Sequence, residues 1–199
     1  MPCSARTQMF TKTFPRCGVP DHYGDWDTYC EYIDLLSRTA SIVEYTQVWW
    51  SIRPHFSFGT VEVRICDAQP TAAESDALAT LITACVLQAA RDHDEGLPYT
   101  VQPRRNVEEN VWRAIRNGMD GQLLDLERLE EEDARTSVER VLEWTAPARR
   151  EHGIADPVFP ERNSAQRQKA LIAEGLSPQE VYAATVRETQ SYAQEVRTA

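Results

Sequence analysis

The chain has no apolar run long enough to cross a bilayer. Its longest apolar passage, residues 77–90, is interrupted by Thr80, Thr83 and Gln88, and it falls short of the roughly 20 residues that a membrane-spanning helix needs. No apolar segment follows Met1, so neither a signal peptide nor a membrane partner is expected. An excess of positive charge is also missing: 21 Lys and Arg stand against 31 Asp and Glu, a formal net charge of -10. That balance argues against a general nucleic-acid binder, whose phosphate contacts draw on a basic face, while leaving room for a locally positive pocket. Five cysteines, at positions 3, 17, 30, 66 and 85, show no C-x-x-C spacing, and His22, His55, His93 and His152 are scattered. A structural zinc cluster is therefore not expected, and the unpaired thiols suit a reducing cytoplasm. There is no internal repeat and no low-complexity segment, and 199 residues are enough to bury one sizeable core.

What is present is concentrated in residues 49–67, WWSIRPHFSFGTVEVRICD. Val61, Val63 and Ile65 alternate with Glu62, Arg64 and Cys66, the period of a half-buried strand. Upstream, Trp50 and Ile52 alternate with Ser51 and Arg53. Pro54, lacking an N–H, is expected to end the first ladder, and Gly59 to let the chain turn back. An antiparallel pairing predicts that Ile52, Val61, Val63 and Ile65 are buried, with Arg53, Glu62 and Arg64 together on the opposite face. Such a face reads in two ways. It is either the wet side of a sheet, where opposed charges add little, or a polar cleft in which Glu62 holds a divalent metal and the arginines grip phosphate or carboxylate oxygens.

WWSIRPHFSFGTVEVRICDAQPT resembles the signature of the bacterial carboxylate-amine ligases of the type 2 glutamate-cysteine ligase family, distant relatives of glutamine synthetase. The tryptophan pair, I-R-P-H, F-G-T, V-E-V-R and D-A-Q-P-T come in the family's order. Phe14-Pro15-Arg16 with Gly18 and Pro20, Glu109-Asn110 with Trp112-Arg113-Ala114, and Ala165-Gln166-Arg167-Gln168 resemble further blocks, so the likeness covers almost the whole chain. The family is typically about twice as long, and the resemblance is to its C-terminal half; the early G-x-E-x-E-like run is not present, so a fragment or a truncated reading frame is expected. The resemblance implies an α+β fold, an antiparallel β-sheet with helices packed on one face as in glutamine synthetase, with residues 1–199 a C-terminal portion of one catalytic domain. It implies an enzyme using ATP and Mg2+ to form γ-glutamylcysteine from L-glutamate and L-cysteine, or another amine, through a γ-glutamyl phosphate, as in glutathione-type thiol biosynthesis. Small-molecule partners, a cytoplasmic location and room for a homo-oligomer go with it; nucleic acid and membrane do not. Glu62 is then assigned to metal, Arg64 to phosphate, and Arg53 to phosphate or a substrate carboxylate. His55 is expected to order the turn or contact nucleotide. The alternative is a non-catalytic fragment or binding module that retains the hairpin.

Elsewhere the pattern is helical. Residues 1–24 read as loop, with Arg6, Gln8 and Arg16 candidates for a cleft. Asp25 caps a helix carrying Trp26, Tyr29, Ile33, Leu36 and Ala40. Thr71-Ala72-Ala73-Glu74 is a capping box, and the stripe Leu78, Leu81, Ile82, Cys85 and Ala89 is expected to cover the buried face of the hairpin. Asn106-Val107-Glu108-Glu109 is expected to open a helix that Gly118 closes, and Arg105, Asn106, Asn110 and Arg113 there suit anionic oxygens. Residues 126–135 form a charge run, read as a solvated face. Thr136 caps a helix that Pro147 kinks or stops. Two further helices are expected, one beginning at Ser164 and carrying Arg167, a cleft candidate by the family likeness, and one capped by Ser177.

Overall fold

The computed structural model describes residues 4–198. In chain order it contains α1 (Ala5–Thr13), β1 (Cys17–Gly18), α2 (Trp26–Arg38), β2 (Trp49–Trp50), β3 (Ile52–His55), β4 (Thr60–Val63), α3 (Ala72–Asp94), α4 (Arg104–Asn117), β5 (Gln122–Asp125), β6 (Glu130–Asp133), α5 (Ala134–Glu151), α6 (Ser164–Ala173) and α7 (Pro178–Thr198). The class is α+β. Strands pair in three small sheets, β1–β2, β3–β4 and β5–β6, of which β1–β2 is parallel and β3–β4 antiparallel. The chain divides into two compact units, one of residues 4–67 and 99–132, the other of residues 68–98 and 133–198.

In the first unit, the Asp25 side chain accepts the Thr28 N–H at 2.7 Å and starts α2, as the sequence predicts. Tyr29 and Ile33, four apart on one face, are buried with Ile42, Val48 and Trp50, and Tyr23, Tyr32 and Tyr45 pack round them. This core fixes one end of the strand run β2–β3. The segment read as loop contains α1, whose Phe10 and Phe14, one turn apart, stack at 5.2 Å; the Arg6 and Gln8 side chains lie outside the described residues. α4 begins two residues before the expected cap, on Pro103, and Gly118 ends it with φ 61, a conformation that favours glycine. The acidic run is more than a solvated face: its residues 130–133 form β6, which pairs with β5 and leads directly into α5. Alternating charged side chains are compatible with a strand when both of its faces are wet.

The second unit is helical. Its buried seam on α3 is Glu74, Ala77, Ala84 and Gln88, turned from the predicted stripe, and α3 packs against α5. Small residues decide this, because Ala77 and Ala84 on α3 and Ala148 on α5 let two backbones approach. Pro147 neither stops nor breaks α5. The Ala148 N–H next to it donates to Gln88 Oε1 at 3.1 Å, a buried hydrogen bond that joins α3 to α5 beside the proline. α6 opens on a capping box of Asn163 and Gln166, and α7 follows Ser177, which Glu180 caps in return.

Candidate functional site

β3 and β4 pair with Arg53 opposite Glu62 and Ile52 opposite Val63, and the ladder continues where the Arg64 N–H donates to Ser51 O at 2.7 Å. Two-residue periodicity then places Trp49, Ser51 and Arg53 on one face with Glu62, Arg64 and Cys66. The shared face is as expected, but Pro54 stays within the strand, and burial does not follow the two faces. Arg53 is only 6% exposed, whereas Ile52 (44%) and Val61 (48%) are open and Ile65 is exposed too. The reason lies in the turn before β2. Carbonyls of Thr46 and Val48 point inward and take Arg53 Nη1, while Nε and Nη2 reach Glu62 Oε2 at 2.8 and 2.7 Å. A guanidinium with four such contacts is stable under cover.

Glu62 is therefore bridged. Its second oxygen accepts from Arg64 Nη1, and Arg64 itself is 40% exposed. Burial acts to raise the Glu62 carboxyl, but hydrogen bonds and charge from Arg53 and Arg64 outweigh it and hold the group below its ordinary value of 4.5. A depressed folded-state value contributes stability that is complete above the ordinary value and is lost as pH falls through the lowered one. Thermal melts of the chain and of Glu62→Gln as a function of pH should thus differ most above that ordinary value and converge in acid; parallel curves throughout would contradict the bridge.

The structure brings His55 to the same hairpin. Its ring stacks on Phe58 at 4.5 Å and meets Tyr45 edge-on, with Nδ1 buried and without a hydrogen-bond partner among the described residues. Gly59, at φ 59, makes the turn. The other candidates are not gathered on this hairpin. Arg105 is exposed on α4 with no ion-pair partner among the described residues. The Asn110 amide exchanges two hydrogen bonds with the Leu124 backbone, 2.8 and 2.7 Å, and so docks β5 on α4. Arg113 pairs with Glu109 and Glu131. In the second unit, Arg167 is tied to Glu74 at 2.9 Å, to Glu188 at 2.7 Å and to the Arg162 carbonyl. Its guanidinium thus links α6 to α3 and α7.

Sequence reasoning missed a pocket in the first unit, of about 380 Å3. α1 supplies Thr7, Phe10, Thr11 and, just after it, Phe14; β1 and β2 supply Cys17, Gly18 and Trp49; Ser51, Arg64, Ile65 and Cys66 complete the lining. The four-residue spacing of Phe10 and Phe14 was the available signal, hidden among prolines and glycines. Arg16, beside the pocket, has φ 58, an uncommon conformation for a residue with a side chain, and its carbonyl accepts the Trp49 N–H at 2.8 Å. Burial raises the Cys17 thiol, opposed by Arg64 and then Arg16. Among the described residues, no group of three or more His, Cys, Asp or Glu converges to hold a metal ion. On the hairpin face the Glu62 carboxylate is held between Arg53 and Arg64. No helix among the described residues is long and apolar enough to cross a membrane.

Residues 3–196 match the model of glutamate-cysteine ligase family 2. A protein of Rubrobacter xylanophilus provisionally named glutamate-cysteine ligase 2-2 is 34% identical over 189 residues, covering 94% of this chain and 49% of its own. Proteins provisionally named glutamate-cysteine ligase 2 are similar as well: that of Solibacter usitatus is 33% identical, with 94% of this chain and 50% of its own covered, and that of a Roseiflexus species is 35% identical, with 94% and 47%. The chain spans about half the length of these curated relatives.

Proposed function

The chain belongs to glutamate-cysteine ligase family 2, and from that premise we propose that its hairpin serves an ATP-dependent carboxylate-amine ligase. In the reading, the γ-phosphoryl group of ATP passes to the γ-carboxylate of glutamate. The nitrogen of an amine, that of cysteine by the relatives' names, then attacks the acyl carbon. The C–N bond forms, the C–O bond to phosphate breaks, phosphate leaves, and the nitrogen loses a proton. Magnesium would neutralise phosphate charge in such a reaction, and no step here is assigned to it.

The observation that carries this reading is the Arg53–Glu62–Arg64 chain of ion pairs on a family-matching hairpin. Each member has a separate task. Arg53, covered and fully engaged, is a positioning residue that sets Glu62. Glu62 in turn orients Arg64. Arg64 has donors beyond the Nη1 that Glu62 takes, and a rigid fork of donors suits anionic oxygens of a phosphoryl or carboxyl group. Aligned donors of this kind act on developing charge without reorganising.

The test joins residues 1–199 to the half of a curated relative that this chain does not match. With ATP, Mg2+, glutamate and cysteine, the fusion is expected to release phosphate and form a γ-glutamyl dipeptide, with release dependent on both amino acids. A folded fusion whose phosphate release ignores glutamate and cysteine would remove the ligase reading.

A further inference from the structure

We propose that two copies of this chain pair edge to edge along β4, antiparallel about a two-fold axis at Val63, and so join their hairpins into one four-stranded sheet. The open edge comes first. No third strand joins β3–β4 among the described residues, so each strand of the hairpin has a side that no strand takes. The Arg64 N–H donates to Ser51 O across the hairpin, so the backbone groups of Glu62 and Arg64 point to β3 and those of Val61 and Val63 point outward. β3 cannot use its outer side in the same way: Pro54 sits opposite Val61, where an N–H would face outward, and proline has none. β4 has no such guard, since Thr60–Val63 contains neither proline nor lysine.

Copies that each carry a net charge of -10 repel one another overall, so what joins them must be a local match, and the edge supplies one. With Val63 facing the partner's Val63, Val61 lies opposite the partner's Ile65 and Glu62 opposite the partner's Arg64. Both kinds of pair are favourable, and each occurs twice across a two-fold axis. Moving the axis by one residue puts Glu62 opposite Glu62, or Arg64 opposite Arg64, and like charges directly opposed are destabilising. Ile52, Val61 and Ile65, exposed in the single copy, then belong to one continuous apolar face. On the other face, the row of charges runs from Arg53 and Glu62 of one copy to Arg64 of the other. An isolated two-stranded hairpin is marginal, whereas four strands make a sheet of ordinary size.

The experiment is sedimentation of the 199-residue chain over a range of concentrations, with a reversible dimer expected to form below about 100 μM. Val63→Pro removes an N–H that points away from β3, so it should leave the hairpin folded, as a melting curve checks, and weaken the dimer by about tenfold or more. The register is read by cross-linking with oxidised glutathione, in which two protein thiols become one disulfide as one glutathione disulfide becomes two thiols. Val63→Cys should give a disulfide-linked dimer, because residues facing each other in a hydrogen-bonded pair have Cα atoms about 5.5 Å apart. Val61→Cys should not, because the two copies of residue 61 would lie about 14 Å apart along the strands. The parent chain, with its own cysteines, is the control. A monomer throughout the range, a dimer unchanged by folded Val63→Pro, or cross-linking of Val61→Cys or of the parent as strong as that of Val63→Cys would overturn the proposal. A chain that stays monomeric yet binds the unmatched half of a curated relative would give the edge to that polypeptide and overturn it as well. Neither ATP nor turnover enters these readouts, so the dimer and the ligase reading fail separately.

Discussion

Replacing Arg53 with alanine is expected to lower the stability of the chain by on the order of 3 kcal/mol, near the lower end for breaking a buried ion pair, because Glu62 is part-exposed and can recover some water. For a chain of this size that is a fall of about 6–12 °C in melting temperature. The argument rests on what is left behind. Without the guanidinium, the Thr46 and Val48 carbonyls lose their donor under cover, and Glu62 keeps only Arg64. Arg53→Lys should recover less than half of the loss, since one ammonium cannot span two carbonyls and a carboxylate at once. In a Glu62→Gln background the Arg53→Ala change should cost less, by at least about 1 kcal/mol, because residues in one network couple. A drop below about 1 kcal/mol for the single variant would place Arg53 on an ordinary surface.

The second large effect concerns rate. In the active fusion, Arg64→Lys should be nearly as harmful as Arg64→Ala, each lowering kcat/KM by roughly 10²–10³-fold, the usual cost of removing an aligned donor to developing charge. Lysine keeps the charge, but it cannot supply two parallel hydrogen bonds. Stability should hardly move, because an ion pair this exposed contributes at most about 1 kcal/mol. Phosphate release, measured beside melting curves for the parent and both variants, separates the outcomes. Near-parent rates for Arg64→Lys would return the hairpin to the solvated-surface reading. The contrast with Arg53 is the useful feature: adjacent positions of one ion-pair chain should fail in different assays, one in stability and the other in turnover.

Much of this hairpin was legible in the residues themselves. Alternation put Arg53, Glu62 and Arg64 on one face, Gly59 marked the turn, and the motif order indicated the family, because period and turn chemistry are local properties that neighbouring residues set. The same holds for the helix caps at Asp25, Thr71 and Ser177, where one side chain answers a backbone N–H three residues away.

Burial is not local, and there the tertiary structure decided. Which residues of the hairpin are covered depends on the turn at residues 45–48, whose carbonyls take Arg53 and draw it under the surface while Ile52 and Val61 stay open. Asn110 and Arg167 became tethers because particular strands and helices came within hydrogen-bond reach. Pro147 stays inside α5, and Gln88 of another helix accepts the N–H beside it. The pocket needs α1 laid beside the strands, which no spacing in the sequence specifies. Periodicity by itself determined the elements and the faces on which charged residues meet; the free energy of satisfying each buried donor and acceptor determined which residues of those faces are covered.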